Sequence, residues 1–122
     1  MFTLFSTQTV AQDAAMLDVP SNQPIKVLEY LSDMDAIGTV LRARYLAPTL
    51  TGSDDIDAVL DDMAVLCESD AISIRETMDP APTRIIVSLS SEPVDFGASV
   101  SDVTQYFEAY RVEDGRCIWE LF

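Results

Sequence analysis

The chain of 122 residues is 48% hydrophobic, which is enough apolar material for a single domain, residues 1–122, with its own core. Its 21 acidic residues against seven basic ones give a formal net charge of −14, so phosphate backbones and anionic lipids would repel it. We therefore expect neither direct nucleic-acid binding nor membrane binding. The absence of histidine excludes His-dependent triads and the commonest zinc ligand.

The N-terminal part of the chain predicts a strand followed by a loop. Residues 1–10 are rich in Thr and Phe, which favours a strand, and they lack the basic residue and the sustained apolar run of a secretory signal. No apolar run in the chain is long enough to span a membrane. These features predict a cytoplasmic protein. After the loop, Ile25 to Leu31 fit a short helix and a strand equally well.

A first helix is predicted from Asp33 to Ala47, capped by Ser32 and stopped by Pro48. Its apolar stripe is formed by Met34, Ile37, Leu41 and Tyr45. On this helix Arg42 and Arg44 would point about 160° apart, so the basic residues of the chain would form no patch. The linker 49–52 is short, which predicts that a second helix packs antiparallel to the first.

The second helix, Ser53–Glu68, has the clearest periodicity of the chain, with Ser53 as the expected N-cap. Its apolar arc consists of Ile56, Val59, Leu60, Met63, Leu66 and Cys67. The opposite arc is acidic, with Ala58 and Val65 in its middle. This small apolar spot is either a contact site for a basic, partly apolar partner or a tolerated exposed valine. The predicted partner-binding residues are Asp54, Asp57, Asp61, Asp62, Val65 and Glu68.

From Ala71 onward the sequence alternates with a period of two, which is typical of strands. Residues 72–78 and 83–90 predict one β-hairpin around a proline-containing loop. Residues 103–112 fit a strand or a helix, and the hairpin signal of Asp114-Gly115 favours the strand, followed by a turn over 113–115 and a strand over 116–122. The preferred fold class is α+β, with an N-terminal helical hairpin packed on an antiparallel sheet of about four to five strands.

The two cysteines, Cys67 and Cys117, are fifty residues apart and form no CxxC motif. Cys67 on the apolar arc is most simply a small buried hydrophobic residue. A disulfide between them would require the acidic helix and the last strand to pack face to face.

Aromatic residues cluster in the C-terminal hairpin, where Tyr106 and Tyr110 would share one strand face. That face is either covered by the helices or a ligand-binding face with tyrosine as its polar handle. Two helices before long antiparallel strands, with D-D-I-D-A-V-L ahead of the sheet and V-E-D-G-R-C-I-W at its end, resemble the NTF2-like (SnoaL-like) α+β barrels. The resemblance implies a cone-shaped pocket for a small apolar ligand, and in some members isomerase or hydratase activity.

Neither nucleotide-binding nor hydrolase motifs are present, and we expect no catalytic residues, no cofactor and no metal site. The carboxylates at Asp54, Asp57 and Asp61 share a helix face, but such stripes are usually solvated. The preferred function is a non-enzymatic interaction protein that binds a basic protein surface, such as that of a nucleic-acid-binding protein. Inhibitors of the anti-restriction or anti-CRISPR type and immunity proteins share this size and charge class.

Two further interpretations stay open at the level of sequence. The acidity also fits a halophilic domain whose charge serves only solvation, and such a domain would unfold at low salt. An edge strand in the C-terminal hairpin and an exposed apolar spot would both permit a homodimer.

Overall fold

The computed structural model describes residues 16–36, 38–98 and 100–120, which form a five-stranded sheet with one continuous helix packed on it. The strands are β1 (Lys26–Met34), β2 (Thr39–Leu46), β3 (Arg84–Ser90), β4 (Gln105–Glu113) and β5 (Arg116–Glu120). The helix comprises α1 (Ile56–Leu66), a π-helical turn (Cys67–Ala71) and α2 (Ile72–Arg75). The strand order is β1-β2-β3-β4-β5, with β2 and β3 parallel and the other neighbours antiparallel.

The predicted N-terminal helical hairpin is wrong. Residues 33–47, expected to be a helix, contribute the end of β1 and all of β2, which pair antiparallel. A spacing of four residues, as between Leu41 and Tyr45, fits a helix face and a strand face equally well. The alternation of Leu41, Ala43 and Tyr45 with two arginines also fits a strand, so this stretch carries both periods. The open choice for residues 25–31 is thereby decided in favour of a strand.

The helix predicted over 53–68 is confirmed, although its limits differ from the prediction. The helix begins at Ile56, and the Asp55 carboxylate, rather than the predicted Ser53, accepts hydrogen bonds from the backbone N–H groups of Asp57 and Ala58. It continues through the π turn to Arg75, so the strand predicted over 72–78 is wrong. Four alternating residues, I-S-I-R, are too few to distinguish a strand from a helix that is buried on one side.

Because the helix continues to Arg75, strand β3 cannot form a hairpin with the residues before it. The strand itself lies where it was predicted, and it pairs in parallel with β2, with Leu41 opposite Ile85 and Tyr45 opposite Leu89. A parallel pair requires a long crossover, which the helix supplies. The sheet is therefore mixed rather than antiparallel.

The C-terminal hairpin is confirmed. Strands β4 and β5 pair antiparallel, and Asp114 and Gly115 both have positive φ, at 50° and 74°, as a tight type I′ turn requires. The strand predicted over residues 1–10 lies outside the described residues. Within the described part, no helix is long and apolar enough to cross a membrane.

The helix covers one face of the sheet and encloses the main core. The core combines inward residues of the strands with the apolar arc of the helix: Leu41, Tyr45, Ile85, Val87, Leu89, Val59, Met63, Leu66 and Cys67. Val40, Ile86 and Ala109 form a second, small cluster. The last strand, β5, is an edge strand, and its neighbour across the edge is the helix.

Candidate binding cleft between helix α1 and strand β5

Three of the six residues predicted to contact a partner form one row along the helix. Asp57, Asp61 and Val65 follow each other at intervals of four residues, so they lie about one turn apart along one helix face. Asp57 and Asp61 are exposed and Val65 is half-buried. The neighbouring row, Leu60 and Ala64, lies between these residues and the last strand.

An apolar cleft separates this helix from the C-terminal hairpin. It has a volume of about 200 Å³ and is lined by Leu60, Ala64, Tyr110 and Trp119. Trp119, the only tryptophan of the chain, is 53% exposed. A wider depression of about 490 Å³ adjoins the cleft at Ala64. It is lined by Ala64, Val65, Glu68, Ser69 and Arg116.

Glu68 closes the far end of this depression against the edge strand. Its carboxylate accepts a hydrogen bond from the backbone N–H of Cys117 at 3.0 Å and forms an ion pair with Arg116 at 3.1 Å. The Cys117 N–H, followed by Arg116, holds the pKa of Glu68 below its usual value. The disulfide between Cys67 and Cys117 ties the same two elements together, with 6.3 Å between the Cα atoms. The helix and the last strand therefore pack face to face, which is the arrangement that a disulfide between Cys67 and Cys117 requires.

Besides Glu68, two of the predicted contact residues have internal partners. Asp62 is fully buried, and its carboxylate accepts hydrogen bonds from Ser21 N, Ser21 Oγ and Gln23 Nε2 at 3.0, 2.5 and 2.8 Å. Asp54 accepts from the backbone N–H groups of Thr51 and Gly52 and from the Tyr106 hydroxyl. Asp54 and Asp62 therefore do not belong to the row formed by Asp57 and Asp61, because each anchors a loop of the chain.

The two tyrosines of the predicted ligand face lie beneath the helix. Tyr106 donates a hydrogen bond to Asp54 Oδ2 at 2.9 Å, and Tyr110 is 2% exposed at the floor of the cleft. Burial raises the pKa of Tyr110 above its usual value, with a smaller contribution from the carboxylate of Glu108. Glu108 also accepts a hydrogen bond from Trp119 Nε1 at 2.5 Å, which orients the indole ring at the mouth of the cleft.

The NTF2-like resemblance depended on two helices preceding the sheet, and the described residues contain no such pair. The apolar cleft is also small, since pockets for small molecules usually have about 300–1,000 Å³. Its volume of about 200 Å³ is below that range.

Sequence reasoning missed a polar cluster behind the π turn. Asp70 Oδ2 accepts hydrogen bonds from the hydroxyls of Tyr30 and Tyr45 at 2.6 and 2.8 Å. Burial, followed by the interactions with Asp70, raises the pKa of both hydroxyls. The π turn places Cys67 and Asp70 so that both reach the sheet, which joins the helix to strands at both edges. No local pattern revealed this, because Tyr30 and Asp70 are forty residues apart.

Arginine side chains cover the face of the sheet that the helix leaves open. Arg42 and Arg44 are two residues apart on a strand, so they point to the same side, and both guanidinium groups lie within 6 Å of the Phe96 ring. The expectation that they diverge is wrong because it assumed a helix. Arg44 pairs with Glu29, and Arg84 pairs with Asp35 and Glu120. This face is therefore an internally neutralised layer of ion pairs rather than a free basic patch.

The described residues contain no group of three or more carboxylate or cysteine side chains able to hold a metal ion.

Comparison with protein-family models gives one match, a family of unknown function, DUF6497, which covers residues 3–122. The chain belongs to the DUF6497 family. Searches among curated proteins and among solved structures found no match.

Glu68→Ala is expected to make this DUF6497 protein self-associate as its concentration rises. The substitution frees the Cys117 N–H on an edge strand and removes a charge that keeps other strands away. Sedimentation velocity over a hundredfold range of concentration measures the effect. Asp61→Ala, on the same exposed helix side but away from the edge, should stay at the wild-type sedimentation coefficient. Identical behaviour of the two variants would contradict a guarding role for Glu68.

Proposed function

We propose that the protein is a non-enzymatic binding protein whose acidic helix surface occupies a basic site on a partner protein. The observation that carries the proposal is the row of Asp57 and Asp61 beside an exposed apolar cleft. Within the described residues, neither carboxylate belongs to an ion pair, whereas all six arginines do. The uncompensated charge of the molecule is therefore acidic, and a basic partner is the one that its field attracts.

An inhibitor or immunity-type role suits this surface. A polyanionic surface on a protein can compete for the basic groove that another protein uses for nucleic acid, because both present closely spaced negative charges. Complementary charges accelerate the encounter, while burial of the apolar cleft contributes affinity that salt does not screen. Such a protein needs no catalytic residues of its own.

The cysteines support a proposal about the compartment of the protein. The cytoplasm was expected from the N-terminal sequence, but the only two cysteines form a disulfide, and cytosolic thiols are normally kept reduced. We therefore favour an oxidising compartment. Within the inhibitor class, this favours a partner encountered there over the anti-restriction or anti-CRISPR type, whose targets are cytosolic.

The test reverses the two exposed charges. Asp57→Lys/Asp61→Lys should abolish capture of basic proteins from an extract of the native source, with the captured proteins identified by mass spectrometry. The matched control, Glu92→Lys/Asp102→Lys, makes the same change of charge at two exposed loop positions and should capture the wild-type set. Raising the salt concentration in the wash should weaken wild-type capture without removing it. If all three proteins captured the same set at every salt concentration, the acidic row would have no binding role.

A further inference from the structure

The cleft between the helix and the last strand has a chemistry more specific than general acidity. Its walls are Leu60 and Ala64 on one side and Tyr110 and Trp119 on the other, and it exposes almost no polar surface. Carboxylates flank it on both sides. Asp57 and Asp61 precede Leu60 and Ala64 by three residues each, so each lies beside its apolar neighbour on the helix surface, and Glu108 lies across the cleft next to the indole.

We infer that this cleft receives one aliphatic side chain of the partner, presented on a segment whose neighbouring residues are lysine or arginine. The inference rests on the proposed function and names the chemistry of the partner at that site. Two properties of the cleft select this occupant. Its volume of about 200 Å³ suits a single side chain, and the carboxylates on both rims complement positive charges that flank this side chain on either side.

The partner segment does not join the sheet at the position of Cys117. An added strand would need the outward N–H of this residue, and the Glu68 carboxylate already accepts it. The outward N–H groups of an edge strand alternate, so only the position of Trp119 stays accessible within β5. Recognition therefore comes from the side chain in the cleft and from its charged neighbours, with main-chain pairing as a minor contribution.

Trp119 allows a direct test, because it is the only tryptophan and it lines the cleft. The probes are three blocked peptides without aromatic residues: Lys-Lys-Leu-Lys-Lys, Lys-Lys-Gly-Lys-Lys and Glu-Glu-Leu-Glu-Glu. Titration of the full chain with the first peptide should shift the tryptophan emission to shorter wavelength in a saturable manner. The glycine peptide should bind at least about tenfold more weakly, since it lacks the apolar side chain. The acidic peptide should cause no shift.

Ala64→Leu tests the cleft from the side of the protein. Ala64 is exposed on the helix, and leucine is a good helix former, so the substitution fills the cleft without a loss of helix propensity. It should abolish the shift caused by the leucine peptide. Ala98→Leu makes the same change at an exposed loop position and should titrate like the wild type. Circular dichroism confirms that both variants are folded.

Equal affinity for the leucine and glycine peptides, or no shift with any peptide, would overturn the inference. Strong binding of the acidic peptide would overturn the choice of a basic partner. The proposed function is tested separately from this inference. If Asp57→Lys/Asp61→Lys lost the captured proteins while Ala64→Leu kept them, the acidic row would bind the partner without the cleft, and this inference alone would fail.

Discussion

Cys67→Ala/Cys117→Ala is expected to lower the free energy of unfolding by about 4 kcal/mol. The disulfide closes a loop of fifty residues, and the loss of chain entropy in the unfolded state for a loop of this length corresponds to roughly that value. For a domain of this size the melting temperature should fall on the order of 10–15 °C. Urea unfolding followed by circular dichroism measures the difference directly.

The loop that the disulfide closes includes the whole of β3 and β4 and ends at the start of β5, so the loss should be global rather than confined to the hairpin. The reduced wild-type protein provides the control for packing, because it keeps the sulfur of Cys67 in the core, where this residue is fully buried. Reduction should account for most of the loss, and the double variant should not respond to reductant. Equal stability of the oxidised and reduced wild type would refute the crosslink in solution. It would also remove the argument for an oxidising compartment.

Asp62→Ala should destabilise the protein by about 2–3 kcal/mol, the largest effect expected from a single acidic residue. The carboxylate is fully buried and accepts three hydrogen bonds from Ser21 and Gln23, and hydrogen bonds to charged groups are among the stronger ones. The released donors can reach water because Ser21 is exposed, which keeps the loss below that of a fully enclosed pair. Urea unfolding measures the change in the free energy of unfolding.

The residue next to it in sequence provides the matched control for Asp62. Asp61→Ala also removes an aspartate carboxylate from this helix turn, but at an exposed position. It should change the free energy of unfolding by no more than about 0.5 kcal/mol. Hydrogen exchange adds a local measurement. The amide of Leu17, bonded to Ile25 O at 2.9 Å, should lose protection in Asp62→Ala alone, because the anchored segment comes free from the helix. Equal destabilisation by both substitutions would show that Asp62 is an ordinary surface carboxylate.

The two aspartates also show how far the sequence predicts the candidate site. Helix periodicity correctly placed Asp57 and Asp61 on an exposed face, because the helix pattern is local and strong. The same periodicity put Asp62 on that face, and the structure buries it. Its partners, Ser21 and Gln23, lie about forty residues away, so only the path of the N-terminal loop across the helix determines its environment.

The cleft was predictable only in parts. Val65 and Glu68 were predicted partner contacts, and Tyr110 was a candidate for a ligand face. The fold brings all three to neighbouring parts of one groove, together with Trp119. This juxtaposition depends on the disulfide-linked packing of the helix and the last strand. The sequence showed that a disulfide would require this packing, but it did not show whether the two elements pack.

Local patterns were sufficient where one element carried its own signal. The central helix, strand β3 and the hairpin around Asp114-Gly115 all followed from periodicity or turn chemistry, and so did the acidic, histidine-free character that makes recognition the preferred function. Contacts between distant segments decided the rest. Residues 26–46 form a β-hairpin because β2 also pairs with β3, about forty residues later in the chain, a contact that no window of the sequence contains. The pairing of Arg42 and Arg44 above Phe96, the burial of Asp62 and the cleft beside Trp119 have the same origin. Each depends on free energy gained between elements, which the spacing of residues along the chain does not report.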